Sequence, residues 1–134
     1  MSTRTFALLF GIVFLVVGVA GFGVVPGLLQ NQSGSGMDAQ GMLLGLFHVN
    51  GLHNIVHLVF GLWGVAASRS GSGSVAYAKG VAVVYALLAI LGLIPATADG
   101  FGLVPLGGND IWLHAVLALV AAYFGFMNKG APAV

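Results

Sequence analysis

Residues 48 to 61 read HVNGLHNIVHLVFG, three histidines and two asparagines in an otherwise apolar stretch. His53 and His57 stand four apart, the spacing that puts two imidazoles on one face of a helix. Asp110 and His114, within NDIWLH, repeat that spacing near the other end of the chain. Three imidazoles and a carboxylate form a donor set for zinc, copper or non-haem iron, with Asp110 as a fourth ligand or as the partner that orients a ring. His53 and His114 are also a pair that would ligate one haem b from both sides. Asn50 and Asn54 share the stripe of His53 and His57, where they would act as hydrogen-bonding neighbours of the ligands. His48 lies nine residues before His57, on the opposite face of a helix and near its end, so it is set apart from the cluster. Two other chemistries use the same residues. His and Asn side chains hydrogen-bond across helices in lipid and fix their register, at about 0.6 kcal/mol per pair. A His/Asp chain also passes protons near neutral pH.

The elements that must position these groups follow from composition. The chain has 134 residues, 59% hydrophobic and 5% charged, with a mean hydropathy of +1.06. A soluble domain carries about 25% charged residues. So few charges cannot solvate a surface of this size, which makes lipid the expected solvent. A net charge of +1 excludes a nucleic-acid partner, because phosphate binding needs clustered Lys and Arg. The absence of cysteine excludes disulfides, thiolate metal sites and covalently attached haem. Four apolar runs predict helices over about residues 4–25, 42–68, 75–95 and 109–128. Each is near the length that crosses the hydrocarbon. The first is longer than the apolar core of a signal peptide and reads as a retained helix. The expected fold is all-α, one domain over residues 1–134, an integral membrane bundle of four transmembrane helices.

Arg4, Arg69, Lys79 and Lys129 fall on one side of a four-span arrangement, and Asp38, Asp99 and Asp110 on the other. The positive-inside rule then places both termini in the cytoplasm. The segment RSGSGS, residues 69 to 74, reads as a short cytoplasmic hairpin loop, and residues 30 to 42 as the main exterior loop. GFGVVP at 21–26 and GFGLVP at 100–105 form an internal repeat, each expected to close an odd-numbered helix. Aligning residues 51–64 over 112–125 sets His53 opposite His114 and Gly64 opposite Gly125, so the halves are expected to be related by a pseudo-two-fold along the membrane normal. His53 lies 16 residues before Arg69, and His114 lies 15 before Lys129. Both are then roughly 23 Å from those anchors. The second and fourth helices are expected to face each other with His53, His57, His114, Asp110, Asn50 and Asn54 at one level. Below that level small residues permit close packing: Gly61, Gly64, Ala118, Ala121 and Gly125 on those helices, Ala7, Gly11 and Gly18 on the first, and Ala78, Ala82, Ala86 and Ala89 on the third. No polar residue continues the stripe, so the chamber reads as blind-ended. Trp63, Trp112, Tyr77, Tyr85 and Tyr123 are expected at lipid or at the interfaces.

The pattern N50-x-x-H53-N-x-x-H57-L-x-x-G61, with D110-x-x-x-H114 opening the fourth helix, resembles a bacterial family of small four-helix membrane proteins common in actinobacteria and catalogued only as a domain of unknown function. The resemblance covers nearly the whole chain, least clearly the exterior loop. It implies the four spans and the bacterial cytoplasmic membrane, and it brings no activity, cofactor or partner. The reading from the residues is a small membrane protein that binds a metal or haem, or serves as an accessory subunit of a larger membrane complex or a homo-oligomer. A purely structural cluster, a metal-dependent enzyme and a proton relay are the alternatives. No Ser-, Cys- or Glu-based nucleophile constellation is present, so the balance falls against an enzyme.

Overall fold

A computed structural model describes residues 1–128. Helix α1 (Thr3–Ala20) begins where the Ser2 hydroxyl accepts the Thr5 N–H. The chain then builds an antiparallel meander of three strands, β1 (Leu29–Ser33), β2 (Gln40–Leu43) and β3 (Phe47–Asn50), with a 3-10 turn at Gly36–Asp38. Helix α2 (Gly51–Ala67) follows directly, then α3 (Gly71–Leu93). After the turns of residues 94 to 108 comes α4 (Asn109–Ala122), which continues as a π-helical turn, Tyr123–Met127.

The second helix therefore starts at residue 51, and the expected exterior loop is mostly strand. Residues 42 to 49 are nearly all apolar, and a short apolar run does not separate strand from helix by periodicity. Leu44 and Gly45 decide it: both hold positive φ, 56° and 69°, and fold β2 back on β3. The alternation in β2 and β3 is then regular. Leu43, Phe47 and Val49 turn to a small core with Ala20 and Leu29, while Met42 pairs with His48 and Gln40 with Asn50 on the other face. The loop expected at 69–74 is shorter too, because the Ser70 hydroxyl accepts the Gly73 N–H and starts α3 at Gly71. At its far end α3 stops at Leu93, two residues before Pro95, which cannot continue a helix. GFGLVP thus lies in a loop well beyond α3, whereas GFGVVP directly follows α1.

The helices pack as two close pairs, α1 on α2 and α3 on α4, joined by contacts of α3 with α1 and α2. In the first pair backbone meets backbone. A Cβ on Gly11 would lie 2.7 Å from the Val65 nitrogen, and one on Gly64 would lie 2.8 Å from the Ala7 carbonyl oxygen. Rings fill the centre, with Phe6 stacked on Phe124 at 4.6 Å and Phe14 on Tyr85 at 5.5 Å. Tyr77 and Tyr85, expected at lipid or at an interface, are buried here; Trp63, Trp112 and Tyr123 are exposed. The outward faces are apolar, as with Val13 and Val16, Val59 and Leu62, Leu87 and Ile90, and Leu119 and Phe126. The buried positions include Thr3, His53, Asn54, His57, Ser74, Asp110 and His114. Three helical stretches, Thr3–Ala20, Gly71–Leu93 and Asn109–Met127, are long and apolar enough to cross a membrane; Gly51–Ala67 is apolar and shorter.

At the end away from the sheet, the Arg4 guanidinium donates to the carbonyls of Ser68 and Arg69, and the Ser74 hydroxyl lies between the carbonyls of Ala67 and Ser70. Thr3 Oγ1 donates to the Phe124 carbonyl at 3.4 Å. Asp38, Asp99 and Asp110 all lie at the sheet end. Lys129, the fourth basic anchor of the sequence reading, is outside the described residues.

Candidate functional site

Two first turns, those of α2 and α4, carry the site. Asn50 is the N-cap of α2: its Oδ1 accepts the His53 N–H at 2.8 Å and satisfies one of the free donors of the first turn. One turn on, His57 Nδ1 lies 2.9 Å from the His53 carbonyl oxygen. A carbonyl only accepts, so Nδ1 carries the proton, and Nε2 of the neutral ring keeps its lone pair. The rings of His53 and His57 lie 4.3 Å apart, near perpendicular. From α4, His114 brings its ring to 6.4 Å from His53. Phe14 of α1 meets His57 edge-on at 5.4 Å, and Tyr85 of α3 meets His114 at 5.3 Å.

The three imidazoles are thus brought together, although α2 and α4 make hardly any backbone contact. They meet through their side chains between the two pairs rather than across a shared helix interface as expected. The other three candidates are placed differently. Asn50 caps α2 and donates from Nδ2 to the Leu103 carbonyl at 2.8 Å, which ties α2 to the loop before α4. Asn54 is buried against α1, where Gly21 leaves room for it: a Cβ there would overlap the Asn54 amide. Asp110 accepts the His48 N–H on Oδ2 at 3.3 Å. His48 lies on β3, the edge strand of the sheet, so helical geometry does not apply to it. Its backbone serves Asp110 while its side chain stays exposed.

Several buried polar atoms here have no hydrogen-bond partner among the described residues: both ring nitrogens of His53, His114 Nδ1, Asn54 Nδ2, Asp110 Oδ1 and the Tyr85 hydroxyl. Buried polar atoms are nearly always paired, and each exception calls for an explanation. Among the described residues, no hydrogen bond joins the His53, His57 or His114 side chain to another helix. As they stand, no three His, Asp or Glu side chains among the described residues converge to hold a metal ion. Sequence reasoning missed Tyr85 and Phe14 as neighbours of the imidazoles. Tyr85 shares the helical face of Ala78, Ala82 and Ala89, and that spacing was the signal for it.

Above the imidazoles lies a cleft of about 720 Å³ between β2, β3 and the loop of residues 94 to 108. Asp110, Asp99, His48 and Asn50 line it together with Met42 and Leu103. Asp110 belongs to both regions, as it lines the cleft and stands one turn from His114. Sequence reasoning did not find this cleft, because its floor is the sheet that was read as loop and helix.

A family model described as a domain of unknown function (DUF4383) matches residues 4–127. No curated protein and no solved structure matches the chain.

Proposed function

The chain belongs to the DUF4383 family, and we propose that it is an integral protein of the bacterial cytoplasmic membrane that binds a divalent transition metal on His53, His57 and His114. Its apolar outward faces, with a cluster of polar side chains among the buried residues, suit a lipid surrounding. Arg4 and Arg69 at one end, with the three aspartates at the other, support an orientation with the sheet and the cleft outside and the termini in the cytoplasm. α2, at 17 residues, is at the short limit of a span.

The observation that carries the metal reading is the set of unpaired buried nitrogens on His53 and His114, with the His57 ring 4.3 Å from that of His53. Interhelical hydrogen bonding is the competing role, and it would pair those atoms across helices. Here the cross-element bonds fall at the rim, on Asn50 and Asp110. With metal–nitrogen bonds of about 2.0–2.1 Å, two imidazoles on one ion have centroids roughly 4 to 6 Å apart. Separations of 4.3 and 6.4 Å lie close to that range. Imidazoles suit zinc, copper, iron or nickel. A haem b is less favoured, because Phe14 and Tyr85 pack on the flanks of the same rings. Asp110, already held by the His48 N–H, stands at the mouth of the site. We read the protein as a metal-holding subunit of a homo-oligomer or a larger membrane complex.

Elemental analysis of the purified protein and titration of the metal-stripped protein with Co²⁺ test this. The expected result is one ion per chain with a ligand-field spectrum. His53→Ala, His57→Ala and His114→Ala should each abolish most of it, and pairs of them should be barely worse, since ligands act as a unit. Protein that takes up no metal, and unfolds alike with chelator or added metal, would leave the imidazoles a structural role.

A further inference from the structure

The cleft at the sheet end shares only Asp110 with the imidazole reading, and its geometry points to a second binding site, for a small organic cation: a protonated amine carrying a compact apolar body. Asp110 sets the charge preference. Its side chain is 1% exposed, Oδ2 takes the His48 N–H, and Oδ1 faces no partner. No lysine or arginine lines the cleft, and Asp99 adds a second carboxyl group. A carboxylate at the first turn of α4 is favoured by the helix dipole. A buried charge still requires compensation by an opposite one, and among the described residues that line the cleft there is no lysine or arginine to supply it.

Met42, Leu46, Leu103 and Val104 supply the apolar wall. A volume of about 720 Å³ falls within the usual range of small-molecule sites. A bare metal ion would leave that wall facing water, while an ammonium group on a ring or short chain covers it. The site is also preformed. Asn50 Nδ2 bonds the Leu103 carbonyl at 2.8 Å and Asn109 Nδ2 bonds the Leu46 carbonyl at 3.1 Å, so the sheet and the loop of residues 94 to 108 are clamped on both sides of the opening. Rigid walls lower the ordering cost of binding.

Benzylammonium, benzyl alcohol and benzoate share one ring and differ in charge. Their binding to the full-length protein in phosphatidylcholine nanodiscs, followed by saturation-transfer NMR against empty nanodiscs, tests the site. Benzylammonium is expected to bind saturably, about tenfold or more tighter than benzyl alcohol, and benzoate not at all. Asp110→Asn keeps the shape, removes the charge and should weaken benzylammonium about tenfold or more. Leu103→Trp fills the cleft from an exposed position and should block the amine while leaving Co²⁺ uptake unchanged; it carries the test if Asp110→Asn fails to fold. Equal binding of the three probes, no saturable binding of benzylammonium, or unaltered affinity in Leu103→Trp would overturn the proposal, whatever the outcome for metal.

Discussion

The two helix pairs share a plan and differ in how they are joined. In α1–α2, Gly11, Gly61 and Gly64 bring backbone onto backbone; a Cβ on Gly61 would lie 2.6 to 2.8 Å from Leu15 atoms, its backbone nitrogen among them. In α3–α4 the buried small residues are mostly alanines, Ala78, Ala82, Ala118 and Ala121. Gly125 is the close-approach point there, with a Cβ meeting the Lys79 nitrogen at 2.9 Å. The connections differ as well. Residues 21 to 50 fold into a sheet with its own small core, while residues 94 to 108 remain a series of turns clamped to that sheet by Asn50 and Asn109. The first pair thus carries the sheet and its small core, while the main core is shared by both pairs. The second delivers His114 and Asp110 toward the sheet end.

The largest effect should come from the glycine seam. Gly61→Val places branched carbons against the α1 backbone and is expected to cost about 3 kcal/mol or more. Gly125→Ala should cost less, about 1 to 3 kcal/mol, since a single methyl group meets the Lys79 backbone nitrogen at 2.9 Å. Thermal unfolding in detergent compares the two, and equal losses would remove the distinction between the pairs. Next comes the tie between the two connections. Asn50→Ala removes both the α2 cap and the bond to Leu103, with an expected loss of about 1 to 2 kcal/mol. Hydrogen exchange should show faster opening of residues 94 to 108 in that variant, whereas a loss confined to α2 would mean that the clamp contributes nothing. The smallest effect belongs to His48→Ala. Its bond to Asp110 uses the backbone N–H, so stability and metal content should stay within about 0.5 kcal/mol and experimental error of the wild type. A change as large as that of His57→Ala would show that the His48 ring belongs to the site.

The inward stripe of α2 was legible because a regular helix turns by a constant angle. His53, Asn54, His57, Gly61 and Gly64 are all buried, as their spacing predicts. So was the common level of His53 and His114, since counting residues back from the basic ends measures depth along a rigid rod. Asn50 was misread because a cap and a first-turn side chain occupy adjacent positions and differ only in φ and ψ. Tyr77 and Tyr85 were assigned to lipid because composition alone cannot say which face of a uniformly apolar helix turns inward. That choice is made by the rings they meet, Trp63 and Phe6 for Tyr77, and Phe14, Phe60 and His114 for Tyr85.

By itself the sequence determined four apolar segments, the separation of basic from acidic ends, and the side of α2 and α4 that carries the imidazoles. These depend on composition and on local periodicity, which each stretch of chain contains in full. Tertiary structure alone decided that α2 and α4 meet only through side chains, that Asp110 turns to the edge of β3, and that residues 40 to 50 form the floor of a cleft. Those outcomes depend on contacts between residues some sixty positions apart, as in Asn50 with Leu103, His48 with Asp110 and Asn109 with Leu46, and no local pattern specifies which distant carbonyl or carboxylate will arrive.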